Sequence, residues 1–140
     1  MRIRLSAALL LFAALSAAHA QTLPLAWVED FEGKRIVIYA DRHRLESPAW
    51  APGEKPLPLG VDAAIARVRD WARRELPQFD DIEIHEIALK SLRDSGGRHY
   101  WHYIVYFNGV SEGLVIARPR HFVAVLLDGT VIPAVVEPRP

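Results

Sequence analysis

An α+β domain, one amphipathic helix packed on an antiparallel sheet of four to five strands, follows from three features of this chain. Apolar residues recur every three or four positions between Val61 and Leu76. From Asp81 nearly to the end, the segments are β-branched, aromatic and alternating. Between an earlier apolar run and the helical one, Pro48, Pro52, Pro56 and Pro58 interrupt regular structure, because proline lacks the backbone N–H and pushes its predecessor towards extended geometry.

The N-terminus reads as a removable leader over residues 1–20. Arg2 and Arg4 form a positive start, Leu5 to Ala18 is an apolar run, and Ala18 and Ala20 put small residues where a signal peptidase needs them, with Gln21 opening the mature chain. The apolar run is shorter than the roughly 20 residues that cross a bilayer, so no stable membrane insertion is expected after cleavage. A leader of this style on a chain with no cysteine points to a bacterial periplasmic or secreted protein that holds together by burial alone. The leader takes two of the 17 basic residues and none of the 17 acidic ones. The remaining 120 residues, 15 basic against 17 acidic, carry a net charge of −2, which lacks the concentrated positive field of a nucleic-acid binder.

The elements follow in order. Residues 21–34 mix Pro24, Trp27 and acids without a period and read as an N-terminal arm before a single domain over 35–136. Arg35 to Ala40 is a strand by composition, and 47–60 is a proline-rich connector in which Pro56-Leu57-Pro58-Leu59 suits either a stiff surface loop or a polyproline II recognition segment. The helix then places Val61, Ala64, Ile65, Val68, Ala72 and Leu76 on one stripe with Trp71 at its edge. Asp62 meets or caps its positive end, Arg73 and Arg74 its negative end, and Pro77 stops it.

Beyond the helix, Ile82 and Ile84 have one parity and Ile87 and Leu89 the other. A one-residue slip near His85-Glu86 brings all four to one face, the signature of a β-bulge. Arg93 to Gly97 reads as a turn, and His99 to Phe107 as an aromatic strand. Asn108-Gly109 marks a tight turn or strand end, and Val110 to Gly113 reads as a turn around Ser111. Leu114 to Ala117 is ambiguous because Arg118-Pro119-Arg120 interrupts it. His121 to Leu127 and Val131-Ile132 flank Asp128-Gly129 as a hairpin, and 137–140 is a fraying tail.

One helix followed by a strand meander ending in Leu126-Leu127-Asp128-Gly129-Thr130-Val131-Ile132 resembles the cystatin-like fold, and in particular the PepSY type of exported bacterial domain, over about residues 61–133. The inhibitory Gln-x-Val-x-Gly of cystatins is replaced here by Ser91-Leu92-Arg93-Asp94-Ser95-Gly96-Gly97, so the resemblance implies a partner-binding or protease-regulating module without implying cystatin-like inhibition. It carries over no catalytic residue.

The residues themselves suggest no catalytic constellation, no cofactor and no metal. There is no cysteine nucleophile and no Gly-x-Ser-x-Gly elbow. Asp80 and Asp81 are adjacent, so they face different ways rather than forming a dyad. Of His43, His85, His99, His102 and His121, the close pair His99 and His102 leave opposite faces of a strand. The aromatic strand is more suggestive. If Trp101, Tyr103, Val105 and Phe107 meet the helix, then Tyr100, His102 and Tyr106 form an outward stripe suited to a landing partner, unless the arm or connector covers them with Trp27 or Trp50. The leading expectation is a non-enzymatic binding or regulatory module that engages another envelope protein through its sheet face and binds no nucleic acid. The alternatives are a small ligand-pocket protein or hydrolase of the same fold, and a structural envelope component.

Overall fold

The computed structural model describes residues 25–31 and 33–138; the expected leader, with Ala18, Ala20 and Gln21, falls outside the described residues. In chain order the elements are β1 (Leu25–Phe31), β2 (Lys34–Ala40), α1 (Arg42–Glu46), α2 (Val61–Glu75), β3 (Asp81–Arg93), β4 (His99–Ser111), β5 (Leu114–Leu126), β6 (Val131–Pro133) and β7 (Val135–Glu137). They build two antiparallel sheets, one in the order β3-β4-β5-β6 and the other β1-β2-β7. The α+β class is as expected, but the strands divide between two sheets instead of forming one.

The helix packs as its stripe requires. Ala64, Val68 and Ala72 are buried against Tyr103, Val105 and Phe107 of β4 and Val123 and Val125 of β5. Small residues on the helix let it approach the large ones on the strands, which is how two layers fill one space without voids. Val61, counted in the stripe, is instead exposed at the first turn. The N-cap is Gly60 with no side-chain bond, so Asp62 acts only as an acid in the first turn, where the helix dipole favours it. Pro77 follows the C-cap Leu76.

The β3 slip is real: the register shifts between Ile84 and Glu86, and Ile82, Ile84, Ile87 and Leu89 all join the helix-side cluster. The proline-rich connector also packs on this side. Leu57 and Leu59 lie against the cluster, the Tyr103 hydroxyl donates to the Leu59 carbonyl at 2.7 Å, and Trp50 stands edge-on to Trp101 at 5.7 Å.

The segment read as an arm forms β1 and pairs along its length with β2, from Leu25 opposite Ala40 to Phe31 opposite Lys34. Its composition hid it, since a strand flanked by acids has little alternation to show. Strand β2 is consequently central in its sheet, with β7 on its other side. Glu137, read as tail, is the last residue of β7 and lies opposite Arg35. A short helix, α1, follows β2 and is capped by the Asp41 carboxylate, which accepts from the His43 N–H at 2.9 Å.

Asn108-Gly109 does not end its strand. Strand β4 continues to Ser111, and the tight turn falls at Glu112-Gly113, where φ is 51° and 74°. Gly109 has a different purpose. A Cβ there would lie 2.4 Å from the Phe79 ring, so the absent side chain is the slot into which Phe79 fits. Strand β5 likewise runs through Arg118-Pro119-Arg120 without a break in chain direction, but the ladder opens: Gly109 faces Ile116 and Phe107 faces His121. Asn108 is therefore opposed by the four residues from Ala117 to Arg120, which loop outwards.

Gly109→Ala is expected to cost about 1–3 kcal/mol, because the Phe79 ring must leave its slot. In chemical denaturation, Gly109→Ala combined with Phe79→Ala should cost less than the sum of the two single changes. Additive costs would mean that the two residues do not share this contact.

Candidate functional site

Tyr100, His102 and Tyr106 are not an outward stripe. They are 2%, 2% and 9% exposed, because the β1-β2-β7 sheet lies over that face of β4. The expectation failed because the segment taken as an arm supplies the cover. Ile36 and Ile38 of β2 pack with Ile104 and Tyr106, Trp27 of β1 stands edge-on to Phe122 at 5.3 Å, and Ala40 and Leu45 close over Tyr100.

The polar tips of the three residues are held internally. The Tyr106 hydroxyl donates to Glu29 at 2.9 Å; burial first, and then the Glu29 carboxylate, drive its pKa upwards. The Tyr100 hydroxyl donates to Asp94 at 3.0 Å and is likewise raised, by burial and by that carboxylate. His102 Nδ1 lies 3.2 Å from the Tyr100 carbonyl, the geometry of an Nδ1–H donor, while its Nε2 is buried with no partner among the described residues. Burial holds His102 below the ordinary imidazole value, with the Lys90 charge adding to the effect and the bond to Tyr100 opposing it.

Both faces of β4 are covered, and a crevice opens where the layers separate. Strand β6 pairs with Val123 to Val125 alone, and after Ala134 the chain crosses to the other sheet as β7. Upstream of Val123, β5 has no described strand on that side. There the end of α2 and the β2-β7 pair stand apart and leave a crevice of about 370 Å³. Its walls are Trp71 and Leu76 from the helix, Phe107 and Phe122 from the sheet, and Ile36, Pro133, Ala134 and Val136 from the crossing side; Glu75, Arg120 and His121 are its polar members.

The local sequence explains each polar position. Arg120 is the last residue of the looped-out segment, so the bulge that breaks the ladder also carries the guanidinium to the crevice. Glu75 is the last residue of α2. His121 re-enters the ladder opposite Phe107, stacks on it at 5.4 Å, and meets the edge of Phe79 at 5.6 Å. Its Nε2 is buried without a described partner, and burial lowers its pKa, so the ring is neutral at pH 7. Neither the Glu75 nor the Arg120 side chain has an ion pair or hydrogen bond among the described residues.

A second cleft of about 230 Å³ is lined by Trp50, Trp101 and Tyr100 beside α1. Its charged members, Arg98 and Glu46, already pair with each other at 3.2 Å. The larger crevice is thus the one that presents uncompensated charge. Its lining combines apolar walls with one carboxylate, one guanidinium and one imidazole, and holds no hydroxyl or thiol. Among the described residues no group of three His, Cys, Asp or Glu side chains could hold a metal ion, and no helix is long and apolar enough to cross a membrane.

Sequence reasoning missed the crevice. The one available signal was Arg118-Pro119-Arg120 within an apolar run, which marks a strand bulge and, with it, a gap. Comparison with known proteins gives no match: no family model fits the chain, and neither a curated protein nor a solved structure is significantly similar to it.

The buried imidazoles make stability sensitive to acid. Folding holds His102 and His121 below the ordinary value of 6.5, so above that pH both states are neutral. As pH falls below about 6.5 the unfolded chain takes up protons first, and stability is lost until the folded-state values are reached. Urea midpoints measured between pH 7.5 and 5 should fall in the wild type, fall less in His102→Leu, and least in His102→Leu/His121→Leu. Equal slopes in all three would show that the two rings are not responsible.

Proposed function

We propose that this chain is an exported, non-enzymatic binding module of cystatin-like, PepSY-type shape, which holds a ligand in the crevice between the end of α2 and the β6–β7 crossover. The observation that carries this reading is the crevice itself: about 370 Å³, apolar-walled, with Glu75 and Arg120 lacking described partners. That volume falls within the range of small-molecule sites, roughly 300–1,000 Å³, and the mix of many apolar contacts with a few polar groups is what such sites use for affinity and orientation.

The helix-and-meander order of α2 with β3 to β6 supports the proposed shape, and the leader supports export. In this reading the β1-β2-β7 layer is an addition that seals the far face of the meander and, through Ile36 and Val136, supplies one wall of the site. Binding has therefore moved from the sheet face to the gap between layers. The non-enzymatic reading rests on the lining, which offers one imidazole, one carboxylate and one guanidinium but no hydroxyl or thiol for them to activate.

A plug tests the location. Val136 is 58% exposed on the crevice wall, so Val136→Trp fills the space without disturbing the buried core. Titration with the neutral apolar dye N-phenyl-1-naphthylamine should give saturable binding to the wild type and at least about tenfold weaker binding to Val136→Trp, the equivalent of about 1.4 kcal/mol. Leu114→Ser, at the far hairpin, should bind like wild type. Undiminished binding by a folded Val136→Trp chain would place the site elsewhere.

A further inference from the structure

We infer that the occupant of the crevice is a short apolar peptide with both termini free, a zwitterion whose ammonium faces Glu75 and whose carboxylate faces Arg120; this rests on the crevice being the binding site. Two opposite charges come from different walls. Glu75 ends α2, and Arg120 ends the looped-out segment of β5. They do not pair with each other, nor with any other described residue. A ligand bearing one charge would gain from one of these groups and be repelled by the other, and an uncharged ligand would desolvate both without return. Only a ligand with positive and negative ends satisfies the two walls together.

The polarity follows from the elements as well as the side chains. The last carbonyls of α2 have no partners within the helix, so its C-terminal end is a negative pole that reinforces Glu75 towards an ammonium group. Arg73, in the same turn, is taken up by Asp70 at 2.8 Å and does not line the crevice. On the other wall, the planar guanidinium of Arg120 matches a carboxylate in bidentate fashion. Trp71, Phe107, Phe122 and Val136 share the lining with the two charges and require an apolar body in the ligand.

Size sets the length. A space of about 370 Å³ is on the order of 9 Å across, and two to three extended residues span roughly 7–11 Å.

The test is calorimetric titration of the full chain with Leu-Leu and with the end-capped N-acetyl-Leu-Leu-amide. Leu-Leu should bind the wild type, the capped peptide at least about tenfold more weakly, and Glu75→Gln and Arg120→Gln should each weaken Leu-Leu by a similar factor while the capped peptide binds more tightly, since one desolvated charge is removed. Equal binding of free and capped peptides, or no binding of Leu-Leu by a chain that still takes up the neutral dye at the Val136→Trp-sensitive site, would overturn the zwitterion and leave the crevice standing. Leu-Leu binding that Val136→Trp does not weaken would overturn both.

Discussion

Strand β4 is packed on both faces, and the rest of the molecule is arranged around that constraint. Its alternate residues bury Tyr103, Val105 and Phe107 under α2 and Tyr100, His102, Ile104 and Tyr106 under the second sheet. A strand in this position has no solvent face, so every outward-seeming polar atom must be answered within the protein. Glu29 and Asp94 answer two tyrosines and the Tyr100 carbonyl answers one nitrogen of His102, while the other nitrogen of that ring and Asn108 Oδ1 are buried on the strand with no described partner. Apolar burial on two sides more than offsets these two orphans, since a single buried valine or isoleucine side chain contributes roughly 1.5–3 kcal/mol.

The same constraint creates the crevice. A three-layer stack must let its chain pass from the middle layer to the outer one, and here it does so at Ala134, immediately after a strand only three residues long. The brevity of β6 leaves the neighbouring stretch of β5 without a partner on that side, and the bulge from Ala117 to Arg120 widens the gap. Site and fold are thus one feature: the place where the two sheets exchange the chain is the place where the layers cannot touch.

What the sequence revealed depends on how local each signal was. The helix, the slip at His85 and the hairpin at Asp128-Gly129 are written in periodicity or turn chemistry over a few residues, and they appear where that reading put them. The cover over Tyr100, His102 and Tyr106 is not local. Composition marks both faces of β4 as apolar, but nothing within β4 says whether a partner or the same chain, some 70 residues earlier, supplies the second layer. Gly109 misled for a related reason. Its neighbour Asn108 suggests a turn, whereas its function is set by a ring thirty positions away in sequence. The crevice was hardest to see, since Glu75, Arg120 and Val136 acquire meaning only once three separate elements converge.

Thiol accessibility tests the two-sided burial of β4 most directly, and the absence of native cysteine makes it clean. Ile104→Cys and Val105→Cys point to opposite faces, both fully buried, while Leu114→Cys is 68% exposed. Reaction with a water-soluble disulfide reagent should be fast at position 114 and limited by unfolding at both 104 and 105. If the thiol at 104 reacts as fast as that at 114 while the one at 105 stays protected, the outer sheet does not cover β4, and the crevice it helps to form does not exist.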